Sequence, residues 1–151
     1  MRTAIDSSVI LDVVVGDPEH ADASEKALRR VVSEGALVIG ECVLAEIRPA
    51  FSNDEIDQFL DDWNIVFEPS TRESSILAGA MFQVYLRRRR SGPRRVIADF
   101  LVGAHAVVTC DRLLARDRGY YRDYFAGLRI IEPPRSRIEL YPKGDRLWRT
   151  T

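Results

Sequence analysis

Histidine and cysteine are scarce in this chain, two of each in 151 residues, and no lysine lies between Lys26 and Lys143. Cys42 and Cys110 have no CxxC spacing and read as reduced core thiols, not as a disulfide or a zinc site. The missing lysine excludes a phosphoacceptor of the response-regulator kind, which clusters acids on a parallel sheet but needs a lysine after a late strand. No apolar run approaches the roughly 20 residues that span a bilayer. The opening Met1-Arg2-Thr3-Ala4-Ile5-Asp6 has no signal-peptide hydrophobic region, so a cytoplasmic protein is expected. Charge of one sign is not in excess either, since the net value is −1 at pH 7, and the molecule as a whole is no electrostatic magnet for nucleic acid.

What is present suits one domain with one core. A content of 46% hydrophobic and 30% charged residues is that of an ordinary globular chain, and the length suffices for one substantial core. Short apolar runs at Thr3-Ala4-Ile5, Ala36 to Ile39, Ile65-Val66-Phe67, Leu113-Leu114-Ala115 and Leu128 to Ile131 predict five strands. Between them lie segments of helical period. One begins behind Asp6, with Ser7 or Ser8 as its cap. A second starts at Asp17-Pro18, carries Ala27, Leu28, Val31 and Val32, and ends at Gly35. A third carries Val43, Leu44 and Ile47, with Glu46 near its start and Pro49 to bend or shorten it. Capping-box patterns at Ser52/Glu55 and Ser70/Glu73 open two more, the latter running through Ile76, Leu77, Ala80, Met81 and Val84 into an arginine run. Ser91-Gly92-Pro93 breaks it, Ala98 to about Val108 forms another helix, and Gly119 to Phe125 a helical turn. Strands alternating with helices imply α/β architecture, a parallel sheet covered on both faces. There is no internal repeat. The domain is expected to span residues 1–134. The polar, basic tail at 135–151, with Leu140, Tyr141 and Trp148 as adhesive surface, reads equally as a packed extension, a partner-contact segment or an appended piece.

Chemistry is carried by four acids at the junctions where apolar runs give way to the next segment. Asp99 stands at the opening turn of Val96 to Ala106, where a bare carboxylate wants a cationic partner. Asp6 and Asp117 come directly after predicted strands, and Glu46 opens a helix after one. In a parallel sheet this carboxyl edge is where ligands bind. Asp54, Glu55, Asp57, Asp61 and Asp62 fall opposite an apolar face and read as solvated, while Asp111 lies at the wrong end of its strand. Four gathered carboxylates repel unless a cation compensates, and oxygen ligands suit Mg²⁺ or Mn²⁺, one or two ions that would activate water against a phosphodiester. Arg87, Arg88, Arg89, Arg90, Arg94 and Arg95 crowd nine residues. They form either a phosphate-tracking patch or a solvated helix end. His20 falls at a helix start and His105 reads as a structural residue, so the chemistry should need no histidine base.

Taken together, Asp6-Ser7-Ser8, Ala45-Glu46-Ile47, Ala98 to Ala106 and Leu113 to Tyr121 resemble the motifs of PIN-domain proteins, in particular the VapC-type ribonuclease toxins of prokaryotic toxin–antitoxin pairs. The likeness covers residues 1–134. It implies a PIN-like three-layer α/β/α fold around about five parallel strands, an acidic site for Mg²⁺ or Mn²⁺, and endoribonuclease activity. It further implies a homodimer and a VapB-like antitoxin whose C-terminal segment lies over the site. Asp6, Glu46 and Asp99 would take the three principal acidic roles and Asp117 the fourth, with Ser7 as the supporting hydroxyl. The alternatives are a housekeeping PIN nuclease of RNA maturation and a non-catalytic RNA-binding domain.

Overall fold

The computed structural model describes residues 1–88, 94–116 and 119–134. The expected break at Ser91-Gly92-Pro93, Arg89, Arg90, Asp117 and the 135–151 segment lie outside the described residues. In chain order the elements are β1 (Arg2–Ile5), α1 (Ser7–Val15), α2 (Ala21–Glu34), β2 (Ala36–Ile39), α3 (Glu41–Ile47), α4 (Glu55–Asp62), β3 (Ile65–Phe67), α5 (Arg72–Arg88), α6 (Ile97–Thr109), β4 (Arg112–Leu114), α7 (Tyr120–Tyr124) and β5 (Ile130–Ile131). The five strands pair in the order β3-β2-β1-β4-β5, all parallel. This is the α/β fold the alternation of periods predicts.

β1 is the middle strand, and its position follows from its composition. Thr3, Ala4 and Ile5 are all buried, as are Leu37, Val38 and Ile39 of β2 and the whole of β4. Side chains alternate between faces, so three strands with consecutive buried residues require helices over both faces of the sheet. β3 lies at an edge, and Val66 and Phe67 are correspondingly exposed. The chain leaves β1 toward β2 on one side and later returns to lay β4 on the other. The carboxyl end of β1 is therefore the switch point at which a crevice opens.

Local detail departs from the sequence reading in five places. β4 starts at Arg112, one residue earlier than expected, because its register pairs Thr3 with Arg112 and Ile5 with Leu114. The ladder stops there: Asp6 N–H donates to Leu114 O and the chain then turns into α1. Arg112 is only 1% exposed. Its Nε–H donates to Thr3 Oγ1 at 2.8 Å and its Nη2 pairs with Glu34, so a buried charge is paired and hydrogen-bonded. β5 is shorter than the apolar run from Leu128. Regular α2 begins at Ala21, not at Asp17. Asp17 instead accepts Glu19 and His20 N–H at 2.9 Å each in a preceding turn. The cap before α5 is Thr71 with Ser74, each side-chain oxygen accepting the other's N–H at 3.0 and 2.9 Å; Ser70 spends its N–H on Glu41 Oε2. Finally, Glu46 sits in the last turn of α3, not the first. Pro49 acts as expected, within a 3₁₀ turn at Arg48–Ala50.

Phe100 joins the later helices. It is fully buried on α6, with Phe82 and Tyr85 of α5 and Tyr120 and Tyr124 of α7 around it at centroid distances of 5.2 to 5.5 Å. Edge-to-face and tilted packing of this kind fixes ring positions beyond what area burial achieves. Gly103, one turn further along α6, permits the approach of Phe125, whose Cε2 would stand 2.3 Å from any added Cβ. Gly103→Ala is expected to lose about 1–3 kcal/mol of stability in urea unfolding through overpacking, despite alanine's better helix propensity. A variant as stable as wild type would show that the ring has room to move.

Candidate active site

Three of the four predicted acids share one cleft. It encloses about 610 Å³ at the carboxyl edge of the sheet and is lined by Asp6, Glu46 and Asp99, with Ser7, Ser8, Arg95, Arg116, Tyr120 and Tyr121 among its walls. Each acid arrives on a different element. Asp6 directly succeeds β1, Glu46 belongs to the last turn of α3, and Asp99 belongs to the first turn of α6. Asp117 is outside the described residues.

The carboxylates are held by specific donors. Ser8 Oγ donates to Asp6 Oδ2 at 2.5 Å and the Tyr121 hydroxyl to Asp6 Oδ1 at 3.0 Å. Asp6 occupies the N-cap position of α1 without using its side chain as the cap, so neither serine is needed there in the role the sequence suggested. The Ser7 hydroxyl instead lies near Glu46 and favours its charged form. Asp99 Oδ2 turns back to accept Val96 N–H at 3.2 Å, while Asp99 N–H donates to Val96 O, closing the first turn of α6.

Crowding shows in proton affinity. Partial burial pushes the Glu46 carboxyl above the usual carboxylate range, the Ser7 hydroxyl offsets part of this, and the negative charges of Asp6 and Asp99 push it further up. Both tyrosines are also driven upward, chiefly by burial. Asp99 and Asp6 add to the effect at Tyr120 and Asp6 at Tyr121, so both phenols stay protonated donors. The Tyr120 hydroxyl is buried and, among the described residues, has no hydrogen-bond partner.

Positive charge reaches the cleft from two arginines. Arg95 lays its guanidinium over the Tyr120 ring, 4.5 Å from the centroid, and its backbone N–H donates to the Tyr85 hydroxyl at 2.8 Å. Arg116 pairs through Nη2 with Asp12 Oδ1 at 2.7 Å. Arg87 and Arg88 end α5, and Arg94 is exposed; none of these three lines the cleft. His105 is buried, with Nε2 2.7 Å from Glu68 O, which is a structural position. Asp111 accepts Arg2 N–H at the opposite edge of the sheet, and the acids of α4 are exposed.

An oxygen-only donor set of three carboxylates, one of them raised in pKa by burial and further by the charges of the other two, fits a hard divalent cation by its chemistry. Among the described residues no three His, Cys, Asp or Glu side chains are yet gathered as a ready-made metal cluster.

Sequence reasoning missed Asp12, Arg116, Tyr120 and Tyr121. A signal for Asp12 existed, because it is a bare acid inside Val9 to Val15, the same pattern that singled out Asp99.

A model of the PIN domain family matches residues 3–125. The chain belongs to the PIN domain family. PIN domains are in general nucleases. Among solved structures, the chain is similar to one from VapBC2 of Rickettsia felis bound to a DNA fragment from their promoter, with TM-score 0.66 and 15% identity over 87% of this chain and 98% of that one. It is also similar to a chain of FitAcB from Neisseria gonorrhoeae, with TM-score 0.60 and 16% identity over 87% and 97%. At such identities the likeness is one of fold. A search of curated proteins found no match. Among the described residues no helix is long and apolar enough to cross a membrane.

The sign of the Glu46 shift gives a test in this PIN domain. A folded pKa above the unfolded one means that the native state holds the proton more tightly. Stability is therefore lost as pH rises through that window, and the cost is complete above it. Glu46→Gln is expected to raise the thermal midpoint at pH 7 in the absence of divalent ions, with the gain shrinking at pH values below the ordinary carboxylate range. An equal or lower midpoint at pH 7 would mean that the three charges do not strain the fold.

Proposed function

We propose that this PIN domain is a metal-dependent endoribonuclease, the VapC-type toxin of a type II toxin–antitoxin pair acting in the cytoplasm. The observation that carries the reading is the convergence of Asp6, Glu46 and Asp99 on one cleft, with Glu46 sensing the charge of the other two. Those three, with Asp117 as the fourth acid, would hold Mg²⁺ or Mn²⁺. Such an ion, when bound, supplies an activated water and neutralises charge developing on the scissile phosphate.

The rest of the work falls to the chain. Ser8 and Tyr121 orient Asp6, and Ser7 orients Glu46, so that carboxylate oxygens stand at the crevice before substrate arrives. Arg95, steadied on Tyr120, is among the described residues of the arginine run the one that would meet a phosphate in the cleft. Arg87, Arg88 and Arg94 would track the RNA strand outside it. Phosphate contacts of this kind position a strand without reading its sequence.

The toxin assignment is supported by the fold shared with the VapBC2 and FitAcB chains. It carries with it an RNA substrate, a VapB-like antitoxin and a homodimer. A housekeeping nuclease would lack the small antitoxin reading frame beside its gene, which a toxin should have.

RNA cleavage is expected only with added Mg²⁺ or Mn²⁺ and should stop with EDTA. Asp6→Asn and Asp99→Asn should each lower the rate by about 100-fold or more while far-ultraviolet circular dichroism stays unchanged. Cleavage by either variant in a metal-free preparation would defeat the assignment.

A further inference from the structure

Resting on the nuclease reading, we propose that Arg116 is a phosphate-binding residue for the RNA strand and that buried Asp12 is the positioning residue that holds it at the cleft. Asp12 is 4% exposed in the middle of α1. Its Oδ2 accepts the Ser24 hydroxyl of α2 at 2.6 Å and its Oδ1 accepts Arg116 Nη2 at 2.7 Å. Both carboxylate oxygens are thereby committed to partners within the fold.

Arg116 is not consumed in the same way. About a third of its side chain is exposed, and the residue lines the same cleft as the three acids. Its Nε–H is buried and, among the described residues, has no acceptor. A guanidinium carries five donors in a fixed fork suited to phosphate oxygens, and the hydrogen bond to Asp12 takes up one of its nitrogens while about a third of the side chain stays exposed. If the pair served stability alone, apolar residues of similar volume would do as well or better.

The position also answers an electrostatic need. Three carboxylates repel a phosphodiester as strongly as they repel one another, so the strand needs cations at fixed places beside them. Arg95 supplies one from the α6 side of the cleft. Arg116, two residues beyond β4, supplies the other, tied to the rigid pair of α1 and α2.

The test is binding of a short fluorescein-labelled single-stranded RNA, monitored by anisotropy across a salt series, with full-length protein carrying Asp99→Asn to suppress cleavage. Adding Asp12→Asn and Arg116→Gln together leaves net charge unchanged and replaces the ion pair by a neutral one of similar shape. This variant should bind about tenfold more weakly, as loss of a charge-assisted hydrogen bond predicts. The slope of log affinity against log salt should shrink by about 0.7, the value of one phosphate contact on a single strand. Asp12→Asn alone, which frees the guanidinium without removing it, should bind less tightly but keep the slope. Unchanged affinity and slope in the double variant would overturn the phosphate contact, and undiminished affinity in Asp12→Asn alone would overturn the positioning role.

If the double variant does not fold by thermal melting, Arg116→Lys keeps the charge opposite Asp12 and loses the fork. It should then weaken binding several-fold, and wild-type affinity would overturn the proposal. Cleavage by the unmutated protein is read separately. Cleavage together with binding indifferent to the double variant would sink the Arg116 contact alone. Arg116-dependent binding without any cleavage would uphold the contact and sink the nuclease.

Discussion

Like charges do not gather unaided, and the arrangement of this molecule follows from making three of them do so. Asp6, Glu46 and Asp99 are brought to one cleft by elements that share little sequence proximity, and Glu46 registers its burial there, and to a lesser degree the charges of the other two, as a raised proton affinity. The force that holds them there is apolar. β1 is buried between β2 and β4, so the residue after Ile5 has one place to go. Phe100 locks the first turn of α6 into the aromatic cluster, and Asp99 is its immediate neighbour in the chain. Burial of large apolar side chains gains roughly 1.5–3 kcal/mol each, more than enough in sum to impose a few unfavourable contacts between partly solvated carboxylates.

Much of this frame is legible in the sequence because its strands are short, apolar and separated by segments of a different period. Period and punctuation together give the element order and the parallel sheet. The carboxyl-edge rule then places Asp6 and Asp99, and Asp6 lies at the switch point. Glu46 illustrates where such reasoning weakens. Its membership of the cleft follows from the motif, but its place in the last turn of α3 depends on where that helix starts, and Gly40 rather than an acid precedes it. The Ser70/Glu73 capping pattern fails for a similar reason, whereas at Ser52/Glu55 the serine N–H does donate to the glutamate. Ser70/Glu73 and Thr71/Ser74 are offset by a single residue, and the selection is made by Glu41 on another element, which takes Ser70 N–H. Local sequence cannot register a partner 29 residues away.

The residues that stayed invisible are those whose role is set by tertiary neighbours. Arg112 looks like the polar edge of an apolar run, yet Thr3 and Glu34 satisfy it in the core. Tyr120 and Tyr121 read as an aromatic helical turn. In the fold they do two things at once, with rings in the cluster around Phe100 and hydroxyls at the acid cleft. A pattern of hydrophobicity sees the ring and is blind to the oxygen. Asp12 is the instructive exception, because the rule that drew attention to Asp99 applies to it without change. Its apolar surroundings are denser, and Ser24 and Arg116 stand at its two oxygens.

The division of labour among the arginines follows from the same electrostatics. With a net charge of −1, the chain as a whole does not draw in a polyanion, and the acid cleft opposes one at short range. The exposed cations that end α5 do not line the cleft, and salt screens exposed charges beyond a Debye length of about 10 Å. A guanidinium inside the cleft faces less screening, but it would collapse onto the carboxylates unless something else claimed it. The fold supplies that claim twice, through the Tyr120 ring for Arg95 and the Asp12 carboxylate for Arg116. Holding each cation on a partner other than the three acids keeps positive charge beside them and would leave the acids free for the metal proposed above. An acidic nuclease site must meet both requirements to admit the negatively charged strand that it cuts.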